Sequence, residues 1–433
     1  MAIIPQTTLF SWENDIENLG DLIRLQRVLQ YLPDEALMQK LEQERGKGRD
    51  RYPVRAMWNA LIAMIVFGHT SYASLLRELS RNVQLRFLCG FDQGPVPGSD
   101  NMSQFVAKLQ AHETEILELF CRLSQALYDL LPDFGEALAL DSKWVWSKAN
   151  RQSSKKHPDG RSETDAAWGR KDYSGVREDG TTWSKTVSCF GFKTHIWVDA
   201  KYELPVYFFN TDAAASDVAT GEKMLKRLKQ ERPEILNRCR YWMADKGYDD
   251  TDFLLALKDA GIKAIIDKRT MWRTQTEKEV PGYEGMYYSE AGEVFCYGKE
   301  TGERHSMQPA GYEKERDSLR KRCPVGRYGA SCREADTCPY CKNIRIPLET
   351  DPRIFTQVDR TSYKWKRLYA KRTAVERVNS RLDVSFGFET RRIRGMKTMN
   401  LLTALAFAIM DSLAVVSIQE NKKERMRSLV RAA

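Results

Sequence analysis

Residues 136–146 read EALALDSKWVW. The apolar run has the composition of a buried strand, and Asp141 interrupts it. A lone carboxylate among apolar side chains is expensive to bury, so it needs a partner or a use. Residues 147–182 are polar and predict a loop. TVSCFGFKTHIWVDA (186–200) and LPVYFFNTD (204–212) predict two strands joined by a tight turn. SDVATGEKMLKRLKQERPEI (216–235) predicts a helix that Ser216 or Asp217 could cap. RCRYWMADKGYDD (238–250) predicts a strand ending in a turn, with Asp245 at its C-terminal end. A helix (251–261) and a strand (262–269) complete a mixed α/β layout.

Outside this centre the texture changes. Apolar residues of LGDLIRLQRVLQYL (19–32) recur at three and four positions, the helical period, and residues 52–131 are helical almost throughout. EQERGKGRDR (42–51) predicts a linker, and QGPVPGSD (93–100) a break before a final helix that Ser99 or Asp100 could cap. After Thr270 the chain is rich in Gly, Tyr, Glu and Cys, which predicts a β-rich insertion. From Ser362 a long helix begins, SYKWKRLYAKRTAVERVNSRLD, followed by the basic FGFETRRIRGMK. The expected domains are 1–131, all helical; 132–270, the first part of an α/β domain; 271–361, the insertion; and 362–433, the last part of that domain with a basic tail.

Composition excludes several classes. Of 433 residues, 42% are hydrophobic and 29% charged, which rules out a disordered chain, a collagen and a small disulfide scaffold. The start has no basic region preceding an apolar one, so no signal peptide is expected. MNLLTALAFAIMDSLAVVSI (399–418) is long enough to span a bilayer, but it contains Asp411, which is costly in lipid. It reads as a buried helix of a soluble, cytoplasmic protein without a membrane partner. The net charge of +9 is unevenly placed. Residues 362–433 carry 16 Lys+Arg against 6 Asp+Glu, and the preceding 361 residues carry 52 against 53. Such asymmetry suggests a partner with a phosphate backbone.

Phosphodiester chemistry needs carboxylates clustered around divalent metal, and hard oxygen ligands suit Mg²⁺ or Mn²⁺. Asp141, Asp245 and Glu376 are the candidates. On a continuous helix Tyr369, Arg372 and Glu376 fall within about 60° of one another, and Val375, Val378 and Leu382 form a separate apolar face. LALDSKWVWS, GFKTHIWVDAKYELPV, MADKGYDD and the Y-x2-R-x3-E of YAKRTAVERVNSRLD, in this order, resemble the DDE transposases of bacterial insertion sequences. YPVRAMWNALIAMIVFGHTSYASLLREL and VPGSDNMSQFVAKL resemble their N-terminal domain, so the likeness covers about 50–415 and implies DNA-end binding and multimerisation for 1–131 and catalysis for the α/β domain. It implies an RNase H-like mixed sheet, a catalytic triad of Asp141, Asp245 and Glu376 holding two Mg²⁺ (or Mn²⁺), and a helix motif of Tyr369 and Arg372. It also implies cleavage at the element's terminal inverted repeats, strand transfer into target DNA, a homodimer at synapsis and no small-molecule substrate. The family usually carries Lys seven residues after the Glu; here that residue is Asp383, and Arg381 is the nearest cation on that side. A catalytically inactive DNA-binding derivative, or a nuclease without strand transfer, are the other readings.

Five of nine cysteines fall in the insertion. Cys323, Cys332, Cys338 and Cys341 have C-x8-C-x5-C-x2-C spacing, and four thiolates can close a structural Zn²⁺ site. Cys296 could replace one, and His305 is a weaker alternative. Cys89, Cys121, Cys189 and Cys239 read as core, as do His69, His112 and His195. Phosphate contacts are expected from Arg372, Arg381, Arg391, Arg392, Arg394 and Lys397, with Trp365 and Tyr369 as stacking aromatics. Lys143, Trp144, Trp146 and Lys148 form a second set around Asp141.

Overall fold

The computed structural model describes residues 19–46, 52–91, 95–149, 163–177, 179–298, 301–325, 328 and 330–429. Residues 47–51 of the expected linker, residues 150–162 and 178 of the expected loop at 147–182 and the tail end lie outside them, and residues 42–45 of that linker are helical instead. The leading region holds α1 (Ile23–Tyr31), α2 (Glu35–Arg45), α3 (Val54–Val66), α4 (Tyr72–Arg81), α5 (Val83–Cys89), α6 (Ser99–Leu109) and α7 (Glu113–Leu130). The helix entered at QGPVPGSD starts at Ser99 with Gly98, rather than Ser99 or Asp100, as its cap. It breaks at Gln110–His112, so one expected helix becomes two.

The mixed sheet follows: β1 (Ala137–Trp146), β2 (Ala167–Val176), β3 (Thr182–Asp199), β4 (Pro205–Asp212), helices α8 (Asp217–Glu231) and α9 (Pro233–Arg238), β5 (Tyr241–Ala244), α10 (Thr251–Asp259) and β6 (Lys263–Ile266). β1 is central. It pairs antiparallel with β3 and parallel with β5, which pairs parallel with β6. β4 and β2 both pair antiparallel with the long β3. β2 corrects the loop expected at 147–182. Its two glycines and mixed charges hide the strand signal, because this strand is mostly solvent-exposed and has no apolar face to alternate.

The insertion contains β7 (Glu277–Glu279), β8 (Met286–Ser289), β9 (Val294–Tyr297), β10 (Arg304–Ser306), β11 (Gln308–Glu313), β12 (Ser318–Arg322) and β13 (Asn343–Pro347). They form a four-stranded and a three-stranded sheet over a core that includes Met286, Val294, Leu319, Ile346 and Phe355. Arg353 ties this unit to the main sheet. Its guanidinium donates to Asp249 at 3.0 Å and to Glu290 at 2.8 Å.

The chain returns through α11 (Tyr363–Ala370), α12 (Thr373–Ser380) and α13 (Met396–Gln419). The expected single helix from residue 362 is two, divided at Lys371–Arg372, and ends in a π-turn over Arg381–Ser385. α13 is the apolar stretch read as a buried helix, and it is buried from Leu401 to Ser417. It packs on α7, α1, α3 and β4, so it has neighbours on every side and needs no polar face. A second joint lies where Gly387 crosses Gly68. A Cβ on Gly387 would stand 2.8 Å from the Gly68 carbonyl, at a φ of +72° that favours glycine.

Asp411 is fully buried in α13, and neither carboxylate oxygen has a hydrogen-bond partner among the described residues. Burial holds its carboxyl well above the usual range, and the Arg381 charge offsets this only in part. A raised folded-state value means that folding favours the protonated acid. The resulting stability is complete below the unfolded value, near ~3.9, and is lost as pH rises above it. Asp411→Asn removes the titration. Its melting temperature should rise relative to the parent's as pH goes from 5 to 9. A difference that does not change with pH would contradict this.

Candidate active site

The parallel register Leu140↔Ala244 places Asp141 beside Asp245, where the paired stretch of β1 and β5 ends. Adjacent strands lie about 4.8 Å apart, so the two carboxylates are neighbours. The Asp141 carboxyl is pushed up to about 6, first by burial and then by the Asp245 charge. Each is aimed by a backbone donor. The Ser142 N–H donates to Asp141 Oδ1 at 2.8 Å, and the Gly247 N–H donates to Asp245 Oδ1 at 2.8 Å. A Cβ on Gly247 would stand 2.7 Å from that oxygen, so a side chain there would push the carboxylate aside.

Glu376 lies in the first turn of α12. Ala374, Val375 and Val378 are buried, and the helix packs on β1 and β3. Its exposed side carries Glu376, whose Oε1 accepts from Arg372 Nη2 at 2.5 Å. Arg372 also acts electrostatically on Asp141, and Asp245 acts on the Tyr369 phenol. Arg372 thus stands between the aspartate pair and Glu376. Among the described residues no three His, Cys, Asp or Glu side chains are grouped closely enough to hold a metal. Asp141 and Asp245 are brought together, and Glu376 is turned to its arginine.

Trp365 and Tyr369 stack at 4.8 Å with their rings 10° apart, as one turn of helix allows. Trp365 is half-buried and packs against the core. The basic segment is drawn to the end of β1. Ile393 exchanges backbone hydrogen bonds with Trp146 and Lys148, which leaves Arg392, Arg394 and Lys397 exposed. The Arg392 guanidinium lies 4.9 Å from the Trp146 ring.

Two expected phosphate contacts need correction. Arg391 is buried and donates to the His69 carbonyl at 2.7 Å, so it fastens the basic segment to the helical region. Arg381 donates to the Glu203 and Arg377 carbonyls, and burial pushes it down to about 10. Both face protein, because a run rich in arginine does not reveal which members the chain turns inward. Asp383, the departure from the family pattern, forms an ion pair with Lys143 at 2.5 Å.

Sequence reasoning missed Lys171, which sits on the unexpected strand β2. It lies 5.3 Å from the Trp144 ring and acts on Asp141. No local signal marks it, because only the β2–β3 pairing brings it to the site.

In the insertion, Cys296 on β9 faces His305 on β10 across the strand pair. Cys323 follows β12 directly. The thiols of Cys296 and Cys323 lie near enough to those of Cys332 and Cys338 for their charges to interact, and Cys341 acts on Cys323. All five are free and half-buried.

A family model described as a transposase DDE domain matches residues 152–410. Asp245 and Glu376 lie inside the match, and Asp141 lies just before it. A second, described as a transposase domain, matches residues 10–108. No curated protein matches the chain. Among solved structures, the chain is similar to a piggyBac transposase synaptic complex with hairpin DNA. The identity is 11% over 95% of this chain and 79% of the other, with a TM-score of 0.39. With the transposase DDE model covering more than half of its length, the chain belongs to the DDE transposase family of bacterial insertion sequences.

Proposed function

We propose that this transposase cleaves the ends of its insertion sequence and transfers the freed 3′-hydroxyl to target DNA, with Asp141, Asp245 and Glu376 as catalytic residues. The observation that carries the proposal is the pairing of Asp141 with Asp245 in one parallel register, with Arg372 linking that pair to Glu376. Two carboxylates forced together, one of them with a raised pKa, suit a divalent cation that would offset their repulsion. Asp141, Asp245 and Glu376 would hold two Mg²⁺ or Mn²⁺, which supply an activated attacking oxygen and stabilise the leaving one. Arg372 would release Glu376 to the metals and keep its charge for a DNA phosphate. The order β4-β3-β1-β5-β6, three antiparallel strands followed by two parallel ones, supports an RNase H-like catalytic domain. Synapsis of two DNA ends calls for a homodimer, working in the bacterial cytoplasm.

Asp141→Asn, Asp245→Asn and Glu376→Gln should each lower Mg²⁺-dependent nicking of terminal-repeat DNA by at least ~10²-fold, as loss of a metal ligand implies. Nicking near the parental rate by any one removes that residue from the triad.

The exposed rim of Arg392, Arg394 and Lys397 is the proposed DNA surface, and Trp365 and Tyr369 are the proposed stacking aromatics. Replacing the three cations by Ala should reduce the slope of log affinity against log salt by about 1 for each DNA phosphate left without its cation. An unchanged slope in a filter-binding titration places the DNA elsewhere.

Cys323, Cys332, Cys338 and Cys341, with Cys296 as the alternative fourth ligand, are proposed to hold a structural Zn²⁺ that fastens the insertion. The donor set is right for zinc, and the Cys296 and Cys323 thiols lie within electrostatic reach of the others; binding would have to draw them closer than they stand. Elemental analysis should find about one zinc per chain, and chelation should lower the melting temperature. Zinc-free protein with an unchanged melt would refute the site.

A further inference from the structure

Asp141 and Ser142 are adjacent on β1, so their side chains leave opposite faces of the sheet. Asp141 serves the proposed site. Ser142 points into a buried polar group behind it, made of Lys193, His195, Asp217 and Tyr248. Lys193 is 5% exposed, His195 0% and Tyr248 1%, so these groups are cut off from solvent. Lys193 Nζ donates to Asp217 Oδ1 at 3.1 Å and to the Ala215 carbonyl at 2.6 Å. His195 Nε2 lies 3.2 Å from the Thr211 hydroxyl, which itself donates to the Asp212 carbonyl. Nε2 therefore carries the proton, and Nδ1, 3.4 Å from the Tyr248 hydroxyl, accepts. Burial pushes His195 down to about 3, so the ring is neutral.

Asp217 is the hub. The Ser142 hydroxyl lies close enough to favour the Asp217 carboxylate and to act on the Tyr248 hydroxyl. Asp217 also lies beside the second turn: its Oδ2 is 3.5 Å from where a Cβ on Gly247 would stand. Ser142 and Gly247 are the residues whose backbone N–H groups aim Asp141 and Asp245. One carboxylate therefore stands behind both residues. Lys193 is buried and Asp217 half-buried, and an ion pair taken out of water in this way is seldom worth its desolvation for stability alone.

We propose that Asp217, held by Lys193, is a positioning residue that fixes the Ser142 and Gly247 peptides and so sets the separation and aim of the Asp141–Asp245 pair. This rests on the reading of that pair as metal ligands. Partners of this kind typically contribute 10–100-fold to metal affinity.

The test is Mn²⁺ binding to the full chain without DNA, read by electron paramagnetic resonance. Asp217→Asn keeps the shape and loses the charge. It should bind Mn²⁺ about 10–100-fold more weakly. Lys193→Arg, which keeps the ion pair, should stay close to the parent. Ser142→Ala removes a single hydroxyl from the hub and should weaken binding several-fold; it decides the matter if Asp217→Asn does not fold. Parental Mn²⁺ affinity in folded Asp217→Asn, or in Ser142→Ala where the first variant is unfolded, overturns the proposal. Asp141→Asn separates the two levels. If it too binds as the parent does, the metal-ligand reading itself fails.

Discussion

The arrangement depends on one electrostatic constraint, the forced proximity of Asp141 and Asp245. Two carboxylates on adjacent parallel strands repel one another, and this repulsion adds to burial in raising the Asp141 carboxyl. The fold sustains that repulsion by surrounding the pair with fixed positive ends: the Ser142 and Gly247 amides, Lys171 from β2 and Arg372 from the turn before α12. In a purely structural sheet the same positions would be filled more cheaply by apolar side chains. A divalent cation is the natural counterweight.

The surrounding architecture reads as support for this pair. β1 supplies Asp141 and extends beyond it to receive the basic segment at Trp146. α12 lays its apolar side on β1 and β3, which points Glu376 and Arg372 outward. α13 carries no chemistry of its own. It fills the space between the helical region and β4, so the two halves share a core. Arg353 couples the insertion to the loop after Asp245 through Asp249.

The central strands and both aspartates were legible because burial leaves a plain mark: apolar runs with a single acid at the critical place. α13 was legible for the same reason. The exposed strand β2 was not, because its pairing with β3 is made by backbone hydrogen bonds that leave little trace in side-chain hydropathy. The break at Lys371–Arg372 was also hidden, since neither residue stops a helix and only packing divides it. Glu376 was found through the Y-x2-R-x3-E pattern rather than through burial, as it is exposed. Arg381 and Arg391 show the converse: charge alone suggested solvent, and the fold turned both inward. Lys193 and Asp217 were present as polar residues beside apolar ones, but their joint role emerges only once β3 and α8 meet beneath Ser142.

The most direct measurement is iron-mediated backbone cleavage of the DNA-bound protein, with Fe²⁺ in place of Mg²⁺. Peptide bonds next to residues 141, 245 and 376 should be cut together, and excess Mg²⁺ should suppress all three. Cuts confined to the two aspartates, with none near Glu376 when DNA is bound, would show that the three acids do not share a cation.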